Sequence, residues 1–210
     1  SPAVLSQDTS IRLWNLSTGK QVKSAEIPTT VIFQVAITPD GGTALFTSLE
    51  PFVHIWDLEN WIEIGRLEGH EGWIPGIDIS SDGRRVLTCS VDGTLILWDL
   101  QTREAIHRLD GHGKGLWAVA ISPDGRTALS DSGDSSMILW DIENGREVRN
   151  FIPEGGMEEV GTSGIAFMPD GETAISGLNG GYIIHWDLAT GKEIRRFGQH
   201  NDLRTRIEIS

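Results

Sequence analysis

Short runs in which apolar and polar side chains alternate recur along the chain, as in "VAI" and "TALFTS", "GIDIS" and "RRVLTCS", or "WAVAIS" and "RTALS". A period of two is that of a strand with one packed face, so each run predicts a β-strand. Between the members of each pair stands a turn signal: Thr38 to Gly41, Ser80 to Gly83, Ser122 to Gly125 and Met168 to Gly171. Proline presets the entry to such a turn and glycine accepts the positive φ it needs. A third strand follows and closes on Trp14, Trp56, Trp98, Trp140 or Trp186, at separations of 42, 42, 42 and 46 residues. Turns such as "LSTGK" and "IENGR" then lead to a fourth strand, and no segment carries an apolar stripe at helical spacing.

Four short antiparallel strands cannot cover both of their own faces, so neighbouring units must stack, and radial stacking gives a propeller. The tryptophans, the Asp-Gly turns and the Gly-His pairs at Gly69-His70 and Gly111-His112 resemble the WD-repeat β-propellers over essentially the whole chain. The resemblance implies an all-β fold of five four-stranded blades, with repeats at about 1–27, 28–67, 68–109, 110–152 and 153–198. Asn15 replaces the aspartate after Trp14, and "IPTT" and "IPEGGMEEVGTSG" replace Gly-His before the second and fifth tryptophans.

The first residues are in phase with the later strands of a blade, and 199–210 are in phase with an inner strand. The two ends therefore have the phase to share a closing blade in which His200 reaches Asp8 and Trp14, with Val4 in place of the usual Ser or Thr. Propellers of this type most often have seven blades. The alternatives are a five-blade segment of a larger propeller and a ring completed by another chain.

The resemblance places His70, Thr88, Asp92 and Trp98 in one structural hydrogen-bond tetrad and His112, Ser130, Asp134 and Trp140 in the next. Histidine, hydroxyl and carboxylate together invite a catalytic reading. Two equivalent sets one repeat apart favour architecture instead, and a buried polar network is worthwhile only when fully satisfied. No Cys or His pair has zinc spacing, "DSGD" at Asp131 to Asp134 lacks the later ligands of a calcium loop, and no cofactor is expected.

Composition narrows the class further. A net charge of −13 over 210 residues disfavours nucleic acid, whose phosphates reward Lys and Arg. No run of apolar residues is long enough for a membrane helix and "SPAVLSQDTS" has no basic n-region, which reads as a cytoplasmic protein. The one cysteine, Cys89, excludes an intrachain disulfide and reads as a small core residue. Lys and Arg on the outermost strands read as solvated edge charges.

The resemblance also marks one rim of the disc, where family members often hold peptides. Carried over by position, it points to Val31, Phe33, Leu49, Trp73, Val91 and Trp117, an apolar and aromatic set. Trp61 falls in a turn and is expected to be exposed on the opposite rim. The function expected is a non-catalytic scaffold that presents this rim to a protein or peptide. The alternatives are a sensory or structural array attached to a signalling enzyme in a longer protein and, behind it, an enzyme.

Overall fold

The computed structural model describes residues 10–27, 31–154, 162–178 and 181–198. Every regular element among them is a strand. The strands β1 (Ser10–Asn15) and β2 (Lys20–Glu26) form a two-stranded antiparallel sheet. Four sheets of four strands follow: β3 (Ile32–Ile37), β4 (Thr43–Ser48), β5 (Phe52–Asp57) and β6 (Ile62–Glu68); then β7 (Gly76–Ile79), β8 (Arg85–Cys89), β9 (Thr94–Asp99) and β10 (Ala105–Asp110). The third comprises β11 (Leu116–Ile121), β12 (Thr127–Ser132), β13 (Met137–Asp141) and β14 (Arg146–Phe151). The fourth comprises β15 (Thr162–Phe167), β16 (Thr173–Leu178), β17 (Tyr182–Asp187) and β18 (Glu193–Phe197). Each sheet is a simple meander, and the first strands β3, β7, β11 and β15 lie next to one another, as the blades of a propeller do.

The turn chemistry is local. Gly41, Gly83, Gly125 and Gly171 all sit at φ between 68° and 73°, where a Cβ would be strained. In three of these turns a hydroxyl two residues before the aspartate donates to it at 2.6 Å, from Thr38, Ser80 and Ser122. The carboxylate after each tryptophan serves the next turn: Asp57, Asp99 and Asp187 accept backbone N–H groups at 2.7 to 2.8 Å. Asn15 Oδ1 accepts from the Thr18 N–H at 2.9 Å in the same way, so the departure from Trp-Asp at the first repeat keeps the acceptor and loses only the charge.

The core lies between sheets. Leu45, Val53, Ile55 and Leu67 of one blade pack against Ile77, Val86, Ile96 and Trp98 of the next. Leu87, Leu95 and Leu97 then meet Val119, Ile138 and Trp140, and Leu129, Met137, Leu139 and Phe151 meet Ile184 and Trp186. The tryptophan is therefore the residue each blade presses against its predecessor. Trp14 differs from the other four: it is 49% exposed while they are 7% exposed or less. Ile11 and Ala25 face the β3–β6 sheet, and Trp14, on the opposite face of β1, is half exposed. Asp8 and His200, expected beside it, lie outside the described residues.

The outer strands correct the reading of solvated edge charges for Lys23 and Arg149, while Arg66, Arg108 and Arg146 stay exposed to water. Lys23 Nζ donates to the Glu59 carbonyl at 2.7 Å, His107 Nε2 to that of Glu143 at 3.1 Å, and Arg149 Nη2 to that of Ala189 at 2.8 Å. Each bond clasps an outer strand to the turn of the next blade, capping carbonyls that the turn leaves unpaired. That turn holds its positive-φ residue at Gly19, Trp61, Arg103, Gly145 and Gly191.

Candidate functional site

The residues of the two expected tetrads cluster in their sheets, linked by hydrogen bonds throughout in the first and without a direct His112–Asp134 bond in the second. In the β7–β10 sheet Trp98 Nε1 donates to Thr88 Oγ1 at 2.9 Å, and His70 Nε2 meets the same oxygen at 2.8 Å. His70 Nδ1 lies 3.3 Å from Asp92 Oδ2 and 3.1 Å from Thr94 Oγ1. In the β11–β14 sheet Trp140 Nε1 donates to Ser130 Oγ at 2.8 Å and His112 Nε2 meets it at 2.7 Å. Here Asp134 stands 3.9 Å from His112, and the link passes through Ser136, whose hydroxyl is 3.1 Å from His112 Nδ1 and donates to Asp134 Oδ1 at 2.5 Å. Thr94 and Ser136 are thus fifth members that the tetrad pattern did not include. Their signal is a hydroxyl residue two positions after the turn aspartate, in "DGT" and "DSS".

The histidines are neutral. Burial lowers His70 against the pull of Asp92, and burial lowers His112 to about 4 with Asp134 opposing. Burial alone would raise Asp92, but the Glu71 N–H, the Thr94 hydroxyl and N–H, and His70 hold it at about 2. Thr88 and Ser130 are fully buried, so each hydroxyl spends its capacity inside the network rather than on a substrate. Gly69 and Gly111, the glycines of the Gly-His pairs, lie against the rings of Trp98 and Trp140, where a Cβ would stand 3.0 and 2.7 Å away. Among the described residues no group of three or more His, Cys, Asp or Glu is placed to hold a metal ion.

The other blades keep less of this network. Trp186 Nε1 donates to Ser176 Oγ at 2.8 Å. In the β3–β6 sheet Phe46 stands where Thr88 does, Trp56 Nε1 is buried without a partner, and His54 stacks on Phe46 at 4.5 Å and bonds Glu63 at 2.9 Å instead.

The networks anchor the loops that carry the rim residues. The Val91 N–H donates to the Trp73 carbonyl at 3.2 Å, Leu116 N–H to that of Ser90 at 3.1 Å, and Gly133 N–H to that of Gly115 at 3.1 Å. On this frame three of the six rim residues come together. Phe33 and Trp73 have ring centroids 4.8 Å apart with a 30° tilt, and Trp73 and Trp117 meet edge to face at 5.5 Å. The row crosses three successive blades and ends on Trp117, which is 41% exposed. Leu49 is exposed; Val31 and Val91 are half-buried, and Val91 borders a shallow cavity of about 260 Å³ between 91–93 and 112–115.

Trp61 is not the exposed residue expected. It is half-buried, packs edge-on against Trp56 at 6.4 Å and lies under Lys23 Nζ at 5.8 Å, while its Nε1 is buried without a partner. Its position in the left-handed region, φ 61°, turns the ring back over the junction with β2.

Residues 61–99 and 103–141 match the family model of the WD domain, G-beta repeat. No curated protein matches the chain. The matched segments run from β6 to β9 and from β10 to β13 and hold the two histidine networks, and four-stranded sheets of the same design flank them. The chain thus carries two WD repeats within an all-β architecture of four-stranded sheets that is consistent with a WD-repeat β-propeller.

Proposed function

We propose that the protein is a binding scaffold whose ligand is a protein segment held on the rim by Phe33, Trp73 and Trp117. WD repeats generally mediate contact between proteins. The observation that carries the reading is the aromatic row across three blades, ending on the exposed Trp117. Tryptophan combines a large apolar face with an N–H donor and loses little conformational freedom, which is why it anchors interfaces. The loops beneath are tied to the blades by backbone bonds, so little ordering cost falls on binding.

The test is a selection of random displayed peptides on the wild-type protein, followed by titration against Trp73→Ala, Trp117→Ala and Trp61→Ala. Selected peptides should lose about tenfold or more in affinity with either rim variant, the size of one interface anchor. They should be unaffected by Trp61→Ala, which sits in an outer turn. Peptides that bind both rim variants as tightly as wild type would defeat the reading.

A further inference from the structure

The rim's own backbone narrows the ligand. The carbonyl of Trp73 accepts from the Val91 N–H and the Ser90 hydroxyl, and that of Gly115 from the Gly133 N–H. The Leu116 N–H is spent on the Ser90 carbonyl. These groups are spent within the loops and are not offered to a partner, which favours reading by rings and side-chain donors over sheet extension at this point. The Trp117 indole N–H has no hydrogen-bond partner among the described residues. The centroid spacings make a ring surface roughly 10 Å long, which at about 3.1 Å per residue matches one turn of polyproline II helix. Such a segment needs no ladder partner, offers carbonyls to an indole donor and stacks its pyrrolidine rings on aromatic faces.

Charge sets the flank. Glu71 stands two residues before Trp73, and the turns beside it carry Asp92 and Asp134, both held ionised, against Lys114 and Arg108, whose guanidinium lies 3.8 Å from Asp92 Oδ2, which leaves one negative charge in excess among these five groups. The cavity between 91–93 and 112–115 adjoins the row through Val91, whose N–H bonds the Trp73 carbonyl. We infer that this rim takes a proline-rich segment in polyproline II conformation, its prolines on Phe33, Trp73 and Trp117, with a basic residue at the end that passes Glu71 and the cavity. The inference rests on the rim reading above and adds the chemistry of the ligand.

The probe is a synthetic proline octamer with two arginines at one end, titrated by calorimetry and followed through the tryptophan indole N–H resonances. Two controls accompany it: alanines for the prolines with the arginines kept, and glutamates for the arginines with the prolines kept. The proline-arginine peptide should shift the Trp73 and Trp117 indole signals and leave that of Trp61 in place. Trp117→Ala should weaken it about tenfold or more, and Trp117→Phe, which keeps a ring and removes the donor, by about threefold to tenfold. The glutamate peptide should bind several-fold more weakly at low salt. Equal binding of the alanine peptide would overturn the inference in favour of a site for cations alone, and no shift at millimolar peptide would overturn it outright. Proline-free peptides from the random selection that depend on Trp73 and Trp117 would overturn it too while leaving the rim reading standing.

Discussion

Gly76 on β7 lies backbone to backbone against Ala118 on β11, so closely that a Cβ on Gly76 would stand 3.1 Å from the Ala118 Cα and 2.7 Å from Cys89 Sγ. The inner strands converge there, and a polar link reinforces the approach: Asp78 Oδ2 accepts the Ile121 N–H at 2.7 Å, as Gln34 exchanges two bonds with Ile77 one blade earlier.

Gly76→Ala is therefore expected to destabilise by about 1 to 3 kcal/mol, the cost of overpacking a tight site. Neither the Ala118 backbone nor the buried thiol can swing aside. Gly198→Ala, where a Cβ meets nothing within 4 Å, should be near neutral. Urea denaturation of the two variants checks this, and equal midpoints would refute the close approach.

Trp98 and Trp56 give a matched comparison. Trp98→Phe removes the donor of a made hydrogen bond and strands the Thr88 network, whereas Trp56→Phe removes an N–H that already has no partner. Both lose similar ring volume. The first should cost about 1 to 2 kcal/mol more than the second, read from denaturant midpoints.

Acid should weaken the fold before any carboxylate network titrates. An unfolded histidine protonates near 6.5, while His112 resists until about 4 and His70 is also lowered by burial. Between those values the unfolded chain binds protons the folded one refuses, so stability is full above pH 6.5 and falls as pH drops toward 4. His112 alone accounts for roughly 3 kcal/mol over that span. Asp92, held at about 2, adds its loss only below 3.8, and Asp78, raised by burial, acts in the opposite direction above 3.8. Denaturation at pH 7.5 and 4.5 should show the drop, and His112→Gln should flatten it.

Trp61→Ala should cost about 2 to 3 kcal/mol through lost packing on Trp56 and Lys23. A melting temperature unchanged from wild type would contradict its burial.

The strands, their turns and their repetition were legible in the sequence because they rest on local chemistry. Period-two alternation sets a strand's faces, Asp-Gly sets a turn, and a 42-residue spacing repeats both. His70, Thr88, Asp92 and Trp98 were legible through the resemblance to WD repeats, supported by the return of their spacing at His112, Ser130, Asp134 and Trp140. Contacts between blades were not. Whether Trp61 faces water or folds onto Trp56, whether Lys23 and Arg149 are solvated or clasp the next turn, and whether Phe33, Trp73 and Trp117 meet all depend on the distance and tilt between sheets. Those quantities come from how side chains of separate repeats interdigitate, and no spacing along a single chain encodes them. The sequence by itself determined the blade; only the packing of blade on blade decided which of its aromatic residues became core and which stayed exposed.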